Sequence, residues 1–150
     1  MGRRTKAREC AFQMLYQWEL TKDPMDDVIQ AFWRVRSTTE PTRARADQLT
    51  RGTHARLARI DEAVALAATH WRLERIAVVD RSILRLATFE LLCEEATPSA
   101  VILDEAVEMA KRFGEADSPA FVNGVLDAVK RQLRGDTGAR GAGARAGVRG

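Results

Sequence analysis

Four cations crowd the opening of the chain, Arg3, Arg4, Lys6 and Arg8, with no acidic residue among the first eight. Guanidinium groups at this density grip phosphate oxygens through forked donors, pair with base edges and stack on bases. A terminal arm of this kind can also order on contact with a single strand. The segment is therefore a candidate RNA-binding site. The groups that could support catalysis are scattered by comparison. His54 and His70 have no Cys, Asp or Glu at metal-ligand spacing, and His54 reads as a surface residue of a helix. Ser82, Ser99 and Ser118 lie outside any nucleophile motif, and no glycine-rich phosphate loop occurs. Cys10 and Cys93 lack a CxxC partner and read most simply as reduced thiols, with a disulfide between them left open. Asp104, Glu105 and Glu108 cluster in the first turns of a helix, where the dipole favours carboxylates. They suit a negative docking surface better than an acid–base pair. No catalytic residue, metal site or cofactor is expected, and the chain reads as a binding protein rather than an enzyme.

Charge is segregated along the 150 residues. Residues 34–85 hold eleven arginines against six acids, whereas residues 86–129 hold two bases against nine acids. Residues 130–150 turn basic again, with Lys130, Arg131, Arg134, Arg140, Arg145 and Arg149 against Asp136. Such asymmetry steers partners of opposite sign to different faces: a polyanion at the basic start, a basic protein at the acidic later helices. Apolar stretches are short and broken by charge, so no membrane span is expected. The arginines at the start have no apolar run behind them, which excludes a secretory signal in this stretch.

These residues must be positioned by helices, because apolar residues recur at spacings of three and four throughout and no window alternates in twos. The periodicity predicts helices over 5–20, 25–35, 43–68, 76–93, 98–113 and 119–134, an all-α single domain over 1–134. Asp23-Pro24, Thr97-Pro98 and Ser118-Pro119 each set a capping residue before a proline suited to the first helical turn, and Thr42 could cap the helix after Pro41. Beyond them, residues 135–150 are a glycine-rich basic tail with little to bury, read as disordered. Its arginines would add sequence-blind attraction to nucleic acid, or it would serve only solubility.

Three internal features carry expectations. Arg81 is paired with Glu74 and Arg85 with Asp80 by local spacing. Asn123-Gly124 interrupts the last helix, where glycine costs about 1 kcal/mol relative to alanine; close approach of another helix would explain it. Glu90 falls where the period asks for an apolar residue, so it either satisfies an arginine or accepts a partner's base.

The segments RRTKARECAFQMLYQWEL, WRLERIAVVDRSILRLATFELL and PSAVILDEAVEMAKRFGEADSPAFVNGVLDAV together resemble the NusB family of bacterial transcription antitermination factors, over residues 3–133. The resemblance implies two packed three-helix bundles, six to seven helices in all. It implies a cytoplasmic, non-catalytic protein, monomer or homodimer, that binds boxA RNA of ribosomal RNA transcripts together with the small-subunit ribosomal protein NusE. The pair would join the RNA polymerase antitermination complex and suppress premature, Rho-dependent termination. Carried onto this chain, the RNA-binding feature falls on Arg3, Arg4, Lys6 and Arg8, with Asp117 close to RNA; Glu90 and Glu105 become candidate protein-partner contacts, and Asn123 and Gly124 structural positions. The alternative is a detached helical interaction module of the kind fused to ribosomal RNA cytosine methyltransferases, serving protein contacts only.

Overall fold

The computed structural model describes residues 2–135. Seven α-helices follow in order: α1 (Arg3–Thr21), α2 (Met25–Arg34), α3 (Glu40–Ala55), α4 (Leu57–Ala67), α5 (Val78–Cys93), α6 (Ser99–Phe113) and α7 (Ser118–Arg134). A single 3-10 turn over Leu73–Arg75 enters α5. Helices α1, α2 and α3 pack on one another, and α5, α6 and α7 do the same; α1 and α3 lie against α5 and join the two groups. The expectation of two three-helix groups thus holds for these six helices. A seventh, α4, lies across α5 and α7.

The predicted long helix over 43–68 is two. Arg56 leaves helical geometry at φ −115°, and its N–H turns back to the carbonyls of Thr53 and His54. The break lets α3 stay on α1 while α4 swings onto α7. The periodicity hides it because Thr53, Ile60, Ala63 and Val64 are all buried on either side. Close packing just before the break depends on Gly52, where any Cβ would overlap the ring of Phe89 in α5.

The prolines do less capping than expected. Pro24 and Pro98 precede their helices, and neither Asp23 nor Thr97 caps a helix. Pro41 and Pro119 do lie in the first turns of α3 and α7, but Thr39, not Thr42, caps α3 by accepting from the Thr42 N–H. Ser118 faces backwards, its hydroxyl accepting from the Glu115 N–H at 2.9 Å.

Helix α5 occupies the centre, touching α1, α3, α4, α6 and α7. Every residue from Asp80 to Leu91 is buried, so the helix has no solvent face. A helix enclosed on all sides should be apolar throughout, yet this one carries Asp80, Arg81, Arg85 and Glu90. Buried charges persist only when paired and hydrogen-bonded. For Arg81, Arg85 and Glu90 the ion-pair partners come from other helices, whereas Asp80 Oδ1 has no hydrogen-bond partner among the described residues. The pairing requirement shapes the candidate site.

Candidate nucleic-acid interface

The basic start of the chain forms the first turns of α1, and three of its four cations differ sharply in setting from the fourth. Arg3, Arg4 and Lys6 are exposed, whereas Arg8 is 5% exposed. Among the described residues, the three exposed cations form no ion pair. Their position is unfavourable by itself. A helix start carries partial positive charge and unpaired N–H groups, so cations there cost stability unless an anion answers them. Gly2 supplies no capping side chain and no acid lies in the first turn. The arrangement is electrostatically prepared for phosphate.

Arg8 turns inward. Its Nε donates to both oxygens of Glu90 at 3.0 Å, its Nη2 donates to Glu90 Oε1 at 2.8 Å, and its Nη1 reaches Glu105 Oε1 at 3.5 Å. Burial pulls the guanidinium pKa down, but the bonds and charge of Glu90, then of Glu105, more than offset it and hold Arg8 above its ordinary value. Glu90 is 2% exposed and therefore satisfies an arginine, one 82 residues away, rather than reaching a partner. The neighbouring Glu9 pairs with Arg112 of α6. Residues 8 and 9 together fasten the start of α1 to α5 and α6. The same logic corrects the two locally assigned pairs. Arg85 pairs with Asp61 of α4 and with Glu19 of α1, not with Asp80. Arg81 pairs with Glu19 at 3.4 Å and donates to the carbonyls of Leu73 and Ile76, not to Glu74.

Arg3, Arg4 and Arg8 line an open cleft of about 470 Å³ with Pro41, Arg45, Leu49, Glu94, Ala96 and Thr97. Arg45 is the addition that sequence reading missed. It stands about forty positions from the arm, so no local spacing could have shown it. Its Nη2 donates to Glu94 Oε1 at 2.6 Å, which neutralises the acid bordering the cleft.

Asp117 is exposed and precedes α7 without capping it. It lines a different cavity, with Trp71, Arg75, Asp80, Glu115 and Phe121. The indole of Trp71 meets the Phe121 ring edge-on at 5.8 Å. Burial pushes the Asp80 carboxyl above its ordinary pKa; a hydrogen bond donated by the Ser118 hydroxyl opposes this, and nearby Asp117 and Glu115 add to the rise. The structure thus brings Arg3, Arg4 and Arg8 together and leaves Asp117 in a separate cavity.

Glu105 is half-buried beside exposed Asp104 and Glu108 on α6. Asn123 and Gly124 are exposed on α7, and a Cβ built on Gly124 meets nothing within 4 Å. Helix approach is not the reason for this glycine. His54 is half-buried, edge-on to Trp18 at 5.0 Å, rather than a surface residue. Cys10 and Cys93 are both free, and burial raises the Cys10 thiol pKa, so it is not a reactive thiolate. Among the described residues no three His, Cys, Asp or Glu side chains are placed to hold a metal, and no helix is long and apolar enough to cross a membrane.

Comparison with known proteins places this geometry. The model of the NusB family matches residues 5–131. The transcription antitermination protein NusB of Sorangium cellulosum is 48% identical over 133 residues, covering 89% of this chain and 95% of the relative. That of Anaeromyxobacter dehalogenans strain 2CP-1 is 44% identical, covering 88% and 93%. The solved structure of T. maritima NusB superimposes with a TM-score of 0.79 at 36% identity, over 88% of this chain and 92% of that one. A chain from a crystal structure of the antitermination factors NusB and NusE in complex with dsRNA shares the fold, with a TM-score of 0.80 at 24% identity, over 88% and 98%.

Proposed function

The chain belongs to the NusB family, and on that premise we propose that it acts as a cytoplasmic transcription antitermination factor. In this reading it binds boxA RNA of ribosomal RNA transcripts jointly with NusE. The pair then enters the RNA polymerase antitermination complex and suppresses Rho-dependent termination. It works by binding, not by catalysis.

The observation that carries the RNA reading is the trio Arg3, Arg4 and Lys6, exposed on the first turns of a helix whose own dipole repels them. Phosphate relieves that repulsion, and the cleft bordered by Arg45 offers it room. Arg8 serves the same surface indirectly, by holding the start of α1 on Glu90. Asp117 contributes at a second point of contact, in the cavity of Trp71 and Phe121. The protein partner meets the acidic edge of α6, where Glu105 stands with Asp104 and Glu108. Glu90 supports that edge through Arg8, which bonds both carboxylates.

The test is a titration of labelled RNA bearing boxA, and of a scrambled strand, with and without NusE. Tighter binding of boxA, further strengthened by NusE, is the expected outcome. Equal and feeble binding to both strands under all conditions contradicts the assignment.

A further inference from the structure

Arg134, the last residue of α7, counts in the sequence among the bases of the carboxy-terminal stretch; the basic tail expected over 135–150, Gly135 apart, lies outside the described residues. The Arg134 side chain is wholly committed to the protein. Its Nε donates to the Leu91 carbonyl at 2.9 Å, its Nη1 to the Thr97 carbonyl at 2.7 Å and to Ser99 Oγ at 3.2 Å, and its Nη2 to the carbonyls of Glu90 and Glu94 at 3.1 and 3.0 Å. Arginine has five N–H donors, and these five acceptors take them all. Among the described residues no backbone N–H answers the carbonyls of Leu91 or Thr97. Arg134 therefore satisfies groups that the end of α5 and the loop after it leave open, and its charge meets the negative end of the α5 dipole. One side chain ties α7 to the end of α5 and the start of α6, and fixes the loop from Glu94 to Thr97 between them.

That loop is a wall of the RNA cleft: Glu94, Ala96 and Thr97 line it, whereas Arg134 stands behind them and does not. From the wall, the Glu94 carboxylate reaches α3 and accepts from Arg45 Nη2 at 2.6 Å, while Arg45 Nη1 donates to Gln48 Oε1 at 2.9 Å. Helix α3 carries three arginines, Arg43, Arg45 and Arg51. Arg43 lies over the Trp33 ring and Arg51 pairs with Asp26; of the three, only Arg45 lines the cleft with Arg3 and Arg4. The side chains of Arg45 and Glu94 are 28% and 25% exposed, so their pairing stabilises the fold by at most about 1 kcal/mol. Its consequence is placement. Two of the five Arg45 donors are engaged and three are left, enough for a forked contact with a phosphate. Holding a long side chain in one geometry beforehand lowers the ordering cost of that contact.

We propose that Arg45 is a further phosphate-contacting residue of this cleft, and that Arg134 is the positioning residue that sets it from behind through the Glu94–Thr97 loop. The ligand is a phosphate of the RNA strand lying on Arg3 and Arg4, so the inference rests on the RNA-binding reading above.

The test is the salt dependence of binding to a labelled single strand bearing boxA, measured with the full-length chain. Affinities are taken per binding-competent chain, counted by stoichiometric titration, so that a loss of folded protein does not register as weaker binding. Arg45→Gln alone would leave Glu94 unpaired beside the phosphates. It is therefore combined with Glu94→Gln, which removes the pair at constant net charge. This pair variant should bind roughly tenfold more weakly at low salt, the scale of one charge-assisted hydrogen bond, with its salt slope flattened by about 0.7. Native affinity and slope in the pair variant overturn Arg45 as a contact, since it would then serve only to neutralise Glu94. Arg134→Lys keeps the charge and gives up the five-bond set. It should weaken binding in the native background and add nothing in the pair variant. No loss in the native background, or an equal loss in both, overturns the positioning role. A native chain that binds no RNA overturns the RNA-binding reading itself.

Discussion

Arg8 Nη2 stands 2.8 Å from Glu90 Oε1 across the contact between α1 and α5, with both side chains buried. An arginine from the most basic stretch of the chain is thereby removed from solvent. It converts a segment that would otherwise repel itself into one fastened at its fourth cation. Its three outer cations are left at the surface.

Removing one partner of that pair strands a buried charge. Glu90→Ala is expected to destabilise the fold by about 3–5 kcal/mol, read as a lowered midpoint in urea unfolding. Replacing both residues, Arg8→Met with Glu90→Leu, should recover most of the loss. A Glu90→Ala protein as stable as the native one would show that the pair is not buried in solution.

Two glycines in helices should respond to alanine with opposite signs. At Gly124 a Cβ meets open space, so Gly124→Ala should stabilise by about 1 kcal/mol through helix propensity. At Gly52 the Cβ would overlap Phe89, and Gly52→Ala should destabilise by about 1–3 kcal/mol through overpacking. Thermal unfolding of the two variants decides this; shifts of the same sign contradict the packing described.

Glu19 predicts part of the acid response. Burial raises its pKa, but hydrogen bonds from Lys22 and Arg85 and the charges of Arg81 and Arg85 lower it further, leaving it below the ordinary value. A carboxylate with a depressed folded pKa contributes stability above its unfolded pKa of about 4.3. That stability is lost as pH falls through the folded value. Glu19→Gln should therefore be less stable than the native chain at pH 7, and the two should converge below about pH 4. A gap that stays constant from pH 7 to pH 3 would contradict the ion pairing.

Legibility in the sequence divided along contact distance. Helix positions follow from apolar spacing within a few residues, and α1, α2, α5, α6 and α7 lie within two residues of their predicted ends. The interruption at Arg56 was invisible because burial continues in phase through Thr53 and Ile60. Its cause is tertiary: α4 leaves α3 to pack on α7. Charge partners were harder still. Arg85 was paired by local spacing with Asp80, yet α5 is enclosed by its neighbours and takes Asp61 and Glu19 from other helices. The exposed cations Arg3, Arg4 and Lys6 were legible from composition. The inward turn of Arg8, and the arrival of Arg45 beside the arm, depend on residues forty to eighty positions away.

The central claim divides the basic arm into cations that meet RNA and one that holds the fold. The salt dependence of boxA RNA binding, measured for native protein, Arg3→Gln with Arg4→Gln, and Arg8→Met, tests that division directly. Loss of two phosphate contacts should weaken binding and flatten the slope by about 1.4 for single-stranded RNA, with thermal stability retained. Arg8→Met should instead lower the unfolding temperature. An Arg3, Arg4 variant with native affinity and native slope would contradict the account.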